Sequence, residues 1–153
     1  MQLTRQGEYA VRTVYALAAA EGRVVPQKEI ARAQEIPEAF LAKIAQALSR
    51  AGLVINVRGA QGGMTLARPA AEITLRAVVE AIEGPVALNR CLQGPGSCSR
   101  RETCTVHLVW ARAQEAMLKE LAAANFADLV EPRENRLAED TNRQATGGTP
   151  GVS

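Results

Sequence analysis

The chain has 153 residues, 47% of them hydrophobic and only 3% aromatic. That is enough for one compact unit with an aliphatic core, and it excludes wholesale disorder. The net charge of +2 is small, but residues 1–70 hold nine basic against five acidic side chains, whereas 71–130 hold six against seven and 131–153 three against four. The basic excess therefore sits in the N-terminal half, as phosphate contacts there would require.

A first helix is predicted over 4–20, capped by Thr4, with Ala10, Val11, Val14, Leu17 and Ala18 forming an apolar stripe at helical spacing. Glu21-Gly22 ends it. A short helix from Gln27 to Ala33 follows Pro26, with Ile30 facing inward. Glu35-Ile36-Pro37 reads as a turn, because Pro37 disfavours helical geometry at Ile36. A third helix is predicted from Glu38 to Ala51, with Pro37 at its first turn and Phe40, Leu41, Ile44, Ala47 and Leu48 turned inward; Gly52 stops it. Leu53 to Val57 is a β-branched run expected to form a strand. Residues 58–63 form a Gly-rich turn, and Met64-Thr65-Leu66 returns as its partner. Thr74 caps a fourth helix with Leu75, Val78, Val79 and Ile82 on its inner face, closed by Gly84-Pro85. Residues 89–104 read as a loop and about 105–124 as a long helix with a stripe of Val106, Val109 or Trp110, Ala113, Met117 and Leu121. The polar stretch 131–153 is expected to be a disordered tail.

No apolar run approaches the roughly 18 residues that cross a bilayer, and the opening residues lack the charged, apolar, then small pattern of a secretory signal. A cytoplasmic location is therefore expected. In a reducing compartment, three cysteines confined to 91–104 are a poor disulfide framework.

A short helix, a turn, a longer helix and then a hairpin is the order of a winged helix-turn-helix. Ala39, Ala42, Lys43, Gln46 and Arg50 share the outward face of the third helix. Its small residues allow close approach to a groove, Lys43 and Gln46 reach toward base edges, and Arg50 toward phosphate. Arg58 and Gln61 lie among glycines at the hairpin tip, a slim cationic shape suited to a minor groove. Lys28 adds a further cation on the second helix. Useful specificity for so short a reading helix calls for a dimer on two half-sites. The 105–124 helix, whose apolar face has no obvious partner in the chain, is the candidate dimer element.

Six residues separate Cys91 from Cys98 and five separate Cys98 from Cys104, and His107, the one histidine, follows three positions later. Three thiolates and an imidazole on loop and helix start could surround a metal centre. An iron–sulfur cluster, zinc, or metal-free redox thiols all remain open on spacing alone, although structural zinc sites favour tighter pairs. Cys104 with His107 lacks the third orienting group of a nucleophile–base catalytic pair, so no enzyme is expected.

Several segments resemble the iron–sulfur winged-helix transcriptional regulators of the IscR, NsrR and RirA type. These are Leu3-Thr4-Arg5-Gln6-Gly7-Glu8-Tyr9-Ala10-Val11, Ile36-Pro37-Glu38-Ala39-Phe40-Leu41, Ala51-Gly52-Leu53-Val54 and Val57-Arg58-Gly59-Ala60-Gln61-Gly62-Gly63. The cysteine segment, from Cys91 to Cys98 with Cys104-Thr105-Val106-His107 and Trp110, looks most like IscR. The likeness covers about 1–130. Between Cys91 and Cys98 the loop is one residue longer than is usual in IscR-like chains, and Ala39, Ala42 and Lys43 stand where those chains carry polar or acidic residues.

The resemblance implies a mostly α-helical cytoplasmic homodimer with a small β-hairpin wing, which binds an operator in double-stranded DNA and most often represses. It implies a DNA-binding domain over 1–84, a cluster loop over 85–104 and a dimerisation helix over 105–130. It also implies a [2Fe-2S] or [4Fe-4S] cluster on Cys91, Cys98 and Cys104, with His107 or Glu8 of the partner subunit as fourth ligand. The DNA-contact set carried over, together with the residues chosen above, is Lys28, Ala39, Ala42, Lys43, Gln46, Arg50, Arg58, Gln61, Gly62 and Gly63. The alternative is a zinc-stabilised or thiol-redox winged-helix factor without a cluster.

Overall fold

A computed structural model of the chain describes residues 2–131. The tail expected to be disordered lies, from 132 onward, outside the described residues. The elements run α1 (Arg5–Ala19), α2 (Gln27–Ala33), α3 (Glu38–Arg50), β1 (Val54–Val57), β2 (Gly63–Leu66), α4 (Leu75–Glu83), α5 (Thr105–Ala123) and α6 (Phe126–Leu129), with 3-10 turns at Ala70–Glu72 and Arg90–Leu92. The fold is mostly helical with an antiparallel two-stranded wing, as the sequence predicts.

The anticipated start and stop signals operate as local chemistry. Thr4 accepts a hydrogen bond from the Gly7 amide at 3.2 Å, and Thr74 accepts one from the Ala77 amide at 3.1 Å. The chain leaves α1 through Glu21 and Gly22 and leaves α3 through Gly52, all at positive φ. The core is aliphatic. Ala10, Val14, Leu17 and Ala18 of α1 meet Leu41, Ile44, Ala45 and Leu48 of α3, with Ile30, Met64, Ile73 and Val78 closing around them. Thr13 is buried in the same helix, and its hydroxyl donates to the Tyr9 carbonyl at 2.7 Å.

Two expectations about facing residues are corrected. Phe40 is not part of the inward stripe of α3. It lies at the stripe's edge, 37% exposed, with its ring edge-on to Tyr9 at 5.8 Å; Ala45 occupies the interior instead, and Ala47 is half-buried. On α5 the half-buried positions are His107, Ala111, Gln114, Met117, Leu118 and Leu121, which rest toward α4 and the loop. The expected stripe is therefore only partly covered. Val106, Val109 and Trp110 remain exposed, and no residue of α5 is fully buried among the described residues.

α6 was not expected. It begins at Asn125, whose side chain accepts from the Asp128 amide at 3.0 Å and donates to the Asp128 carboxylate at 2.7 Å. This cap turns Phe126 into the core, where it is fully buried, and its amide donates to the Ile73 carbonyl at 3.0 Å. The Leu75 amide donates to Ala124 at 2.8 Å across the same junction. The end of α5 is thereby fastened to the start of α4.

Replacing the buried Phe126 with Ala should lower unfolding free energy by about 3–5 kcal/mol, since the lost ring leaves a cavity. Chemical denaturation checks this, and a loss under about 1 kcal/mol would mean that α6 does not plug the core.

Candidate DNA-binding groove and cysteine cleft

The groove forms where the wing folds back beside α3. Gly63 must approach the chain at Val25, since a Cβ there would overlap the Val25 carbonyl. The neighbouring Met64 exchanges two backbone hydrogen bonds with Val25, each 2.8 Å. Gly62 is held just as closely against the Val57 and Gly59 carbonyls. The observed work of both glycines is thus to let backbones meet, which places the wing beside α2 and α3.

The resulting groove has a volume of about 520 Å³. Of the residues expected to touch DNA, Lys28, Ala42, Gln46, Arg58, Gly62 and Gly63 line it. Ala39, Lys43 and Arg50 lie outside its walls but are exposed on α3, and Gln61 is exposed at the wing tip. Gln27 and Asn56 also line the groove and were not singled out from the sequence. Gln27 opens a helix too short to show a polar face. Asn56 sits in a β-branched run where a strand residue draws no notice. Among the described residues the ion pairs are Arg23–Glu29 at 2.8 Å and Arg76–Glu80 at 3.2 Å. Lys28, Lys43, Arg50 and Arg58 therefore have no carboxylate partner among the described residues. The Arg23–Glu29 contact raises the Arg23 pKa and lowers that of Glu29, in both cases mainly through their hydrogen bond.

The second site lies between the 89–104 segment and the start of α5. The segment turns on itself. Ser97 donates its hydroxyl to the Gly94 carbonyl at 2.7 Å, and the Cys104 amide donates to Arg100 at 2.9 Å. Its root is held by the Leu88 amide, which donates to the Gln114 side chain of α5 at 3.0 Å. Cys91, Cys98, Cys104 and His107 all line one cleft of about 580 Å³, walled on its apolar side by Val106 and Trp110. Arg90 also lines it, while Arg100 and Arg101 are exposed on the same segment. The cysteines are free and half-buried. The His107 Nδ1 is buried without a hydrogen-bond partner, a costly condition for a polar atom unless a ligand completes it.

The donor chemistry suits an iron–sulfur cluster, since thiolates are its usual ligands and an imidazole nitrogen can replace one of them. Among the described residues no three Cys, His, Asp or Glu side chains converge on one metal position. The cleft gathers the donors along its walls, and the turns between them would have to close for all to reach one centre. Glu8 is exposed on α1 and is not among the residues lining this cleft.

Residues 3–132 match the Rrf2 family, described as "Iron-dependent Transcriptional regulator". The chain is 41% identical over 134 residues to Protein aau3 of Rhizobium meliloti, covering 87% of each chain. It is 34% identical to the HTH-type transcriptional regulator IscR of Serratia proteamaculans, over 96% of this chain and 93% of the relative. It is 38% identical to the regulator NsrR of Geobacillus kaustophilus, over 87% and 92%. Among solved structures it is similar to CymR, the global cysteine regulator of B. subtilis, with TM-score 0.69, 27% identity, and coverage of 85% and 96%. It is also similar to T. potens IscR, with TM-score 0.66, 25% identity, and coverage of 99% and 94%.

Gly63→Ala should destabilise the wing by about 1–3 kcal/mol, because the added methyl meets backbone rather than a side chain that can move aside. Hydrogen exchange at Met64 and Val25 should accelerate while the α1 amides stay protected. Unchanged exchange at Met64 would show that the Val25 contact does not seat the wing.

Proposed function

The chain belongs to the Rrf2 family of transcriptional regulators, and on that premise we propose that it is an iron–sulfur-dependent repressor that binds its operator as a homodimer in the cytoplasm. The observation that carries the cluster assignment is the cleft itself: the three cysteines of the chain and a buried, partnerless histidine nitrogen line one cavity at the start of α5. Cys91, Cys98 and Cys104 would hold the cluster, with His107 or Glu8 of the partner subunit completing the set. Arg90 beside the cleft offsets thiolate charge. A bound cluster would supply iron–thiolate bonds sensitive to iron supply, oxidants and nitric oxide, in a two-iron or four-iron form.

The chain's own residues perform the readout. The α3 helices of the dimer enter successive major grooves, presenting Ala39, Ala42, Lys43, Gln46 and Arg50. Lys28 contacts phosphate, and the wing delivers Arg58 and Gln61 to the flanking minor groove, with Gly62 and Gly63 shaping its approach. The exposed Val106, Val109 and Trp110 face of α5 is the dimer contact, burying side chains that otherwise meet water. In this division 1–84 reads DNA, 85–104 senses and 105–130 joins the subunits. Residues 90–104 order against α5 when their thiols are engaged and loosen when they are released, an order–disorder switch rooted at Leu88 and Gln114.

A second reading is supported by the likeness to CymR and by the three free cysteines of the cleft: a metal-free thiol switch using Cys91 and Cys98. The two readings separate on the loaded protein. Under the cluster reading Cys98→Ala should lose iron and sulfide together while far-UV circular dichroism stays helical. Full retention of both would remove Cys98 from the ligand set. Peroxide-sensitive DNA binding by metal-free protein would favour the thiol switch instead.

Arg58→Ala should weaken operator binding and lower the slope of log affinity against log salt by about one. An unchanged slope would remove Arg58 from the phosphate and minor-groove contacts.

A further inference from the structure

β1 leaves the core early. Val54 is buried, but Ile55, Asn56 and Val57 are all exposed, so the outer half of this strand has no core anchor of its own beyond its pairing with β2. On the returning strand, burial and the Val25 contacts fasten Gly63 and Met64, the ladder partners of Val57 and Asn56, at the tip end of the strands. The turn that carries Arg58 therefore springs from the Asn56–Met64 and Val57–Gly63 pairs, and their placement sets where Arg58 lies. Along β1 a side-chain contact reaches α3: the Asn56 Nδ2 donates to the Ala45 carbonyl at 3.4 Å. The bond is long, but it ties to α3 the same strand pair that Val25 holds from the other side through Met64. A carbonyl inside a helix keeps a second lone pair for such a donor. Ala45 is buried in the middle of α3, so its carbonyl is a fixed point. Asn56 also lines the groove, together with Gln46 on α3 and Arg58 on the wing.

When α3 occupies a major groove and the wing the adjacent minor groove, the sugar-phosphate strand dividing them must run through this groove. Its width decides whether both elements can be seated at once. We propose that Asn56 is a positioning residue for DNA recognition, its carboxamide tying the wing to the Ala45 carbonyl and so fixing the span between the α3 and Arg58 contacts. The inference rests on the DNA-binding reading above and adds the residue that sets its geometry. Asn56 touches α3 rather than a base, and it acts through Arg58.

The test uses the full-length protein and a duplex selected by that protein from a random library. Asn56→Val keeps a strand-forming residue and removes the donor, whereas Asn56→Thr keeps a hydroxyl donor. Asn56→Val should bind the selected duplex roughly three- to tenfold more weakly, the scale of one lost hydrogen bond. Hydroxyl-radical protection should fade in the flanking minor groove and persist over the α3 contacts. Arg58→Ala should cost markedly less in the Asn56→Val background than in the wild type, and Asn56→Thr should recover part of the loss. A mere stability effect would shift the melting temperature and leave the Arg58→Ala penalty unchanged. Full additivity of the two substitutions, or wild-type flanking protection in Asn56→Val, overturns the proposal. Failure of the wild-type protein to select any duplex would instead overturn the DNA-binding reading on which it rests.

Discussion

Burial of one face of α1 is the constraint that the other elements obey. Ala10, Val14, Leu17 and Ala18 are essentially inaccessible, and α3, α4, α6 and β2 all pack against this helix. Small residues at positions 10 and 18 let neighbours approach closely, and the buried Thr13 is satisfied within its own helix by the Tyr9 carbonyl. The same helix fixes the far end of α4. The Thr4 amide and hydroxyl both donate to the Glu83 carboxylate, at 3.0 and 2.6 Å, and Glu83 is the last residue before the bend at Gly84. The helix that packs against α3 thus also holds the end of α4, from which the chain runs to the Leu88 root of the cysteine segment. Any shift of that root has a short physical route to the reading surface.

The two surfaces are built to different standards of rigidity. The groove beside the wing rests on buried backbone: Gly63 against Val25, paired strands, and α3 with four buried side chains. The cysteine cleft rests on short turns whose residues are half-buried or exposed, anchored chiefly by the Leu88–Gln114 bond and the start of α5. Segments with little buried apolar area and self-contained hydrogen bonds open most readily. That contrast suits a part that changes state alongside a part that keeps its shape.

Much of this was legible in the chain because the signals were local. Thr4 and Thr74 announced helix starts, Gly22 and Gly52 helix ends, and the β-branched run before Arg58-Gly59 a hairpin; the structure follows each. The resemblance to IscR-, NsrR- and RirA-type regulators read from the motifs agrees with the Rrf2 family match and with the IscR and NsrR relatives. What escaped depended on tertiary context. Periodicity turned Phe40 inward, but the interior of α3 ends at Leu41, and Phe40 finds Tyr9 at the edge instead. The four-residue α6 was too short for periodicity to reveal, although its Asn125–Asp128 cap was a usable signal. The Thr4–Glu83 contact joins residues 79 positions apart, which no local pattern in the chain shows. Asn56 and Gln27 became visible only once the wing folded back to make a groove.

The account turns on what the cleft between Cys91 and His107 holds. The most direct measurement is the visible absorption spectrum of anaerobically purified protein, with iron, sulfide and zinc assayed on the same sample. The account predicts a brown protein with a broad sulfide-to-iron band and matching iron and sulfide content. A colourless protein carrying stoichiometric zinc, or one that takes up neither iron nor sulfide on anaerobic reconstitution, would contradict it.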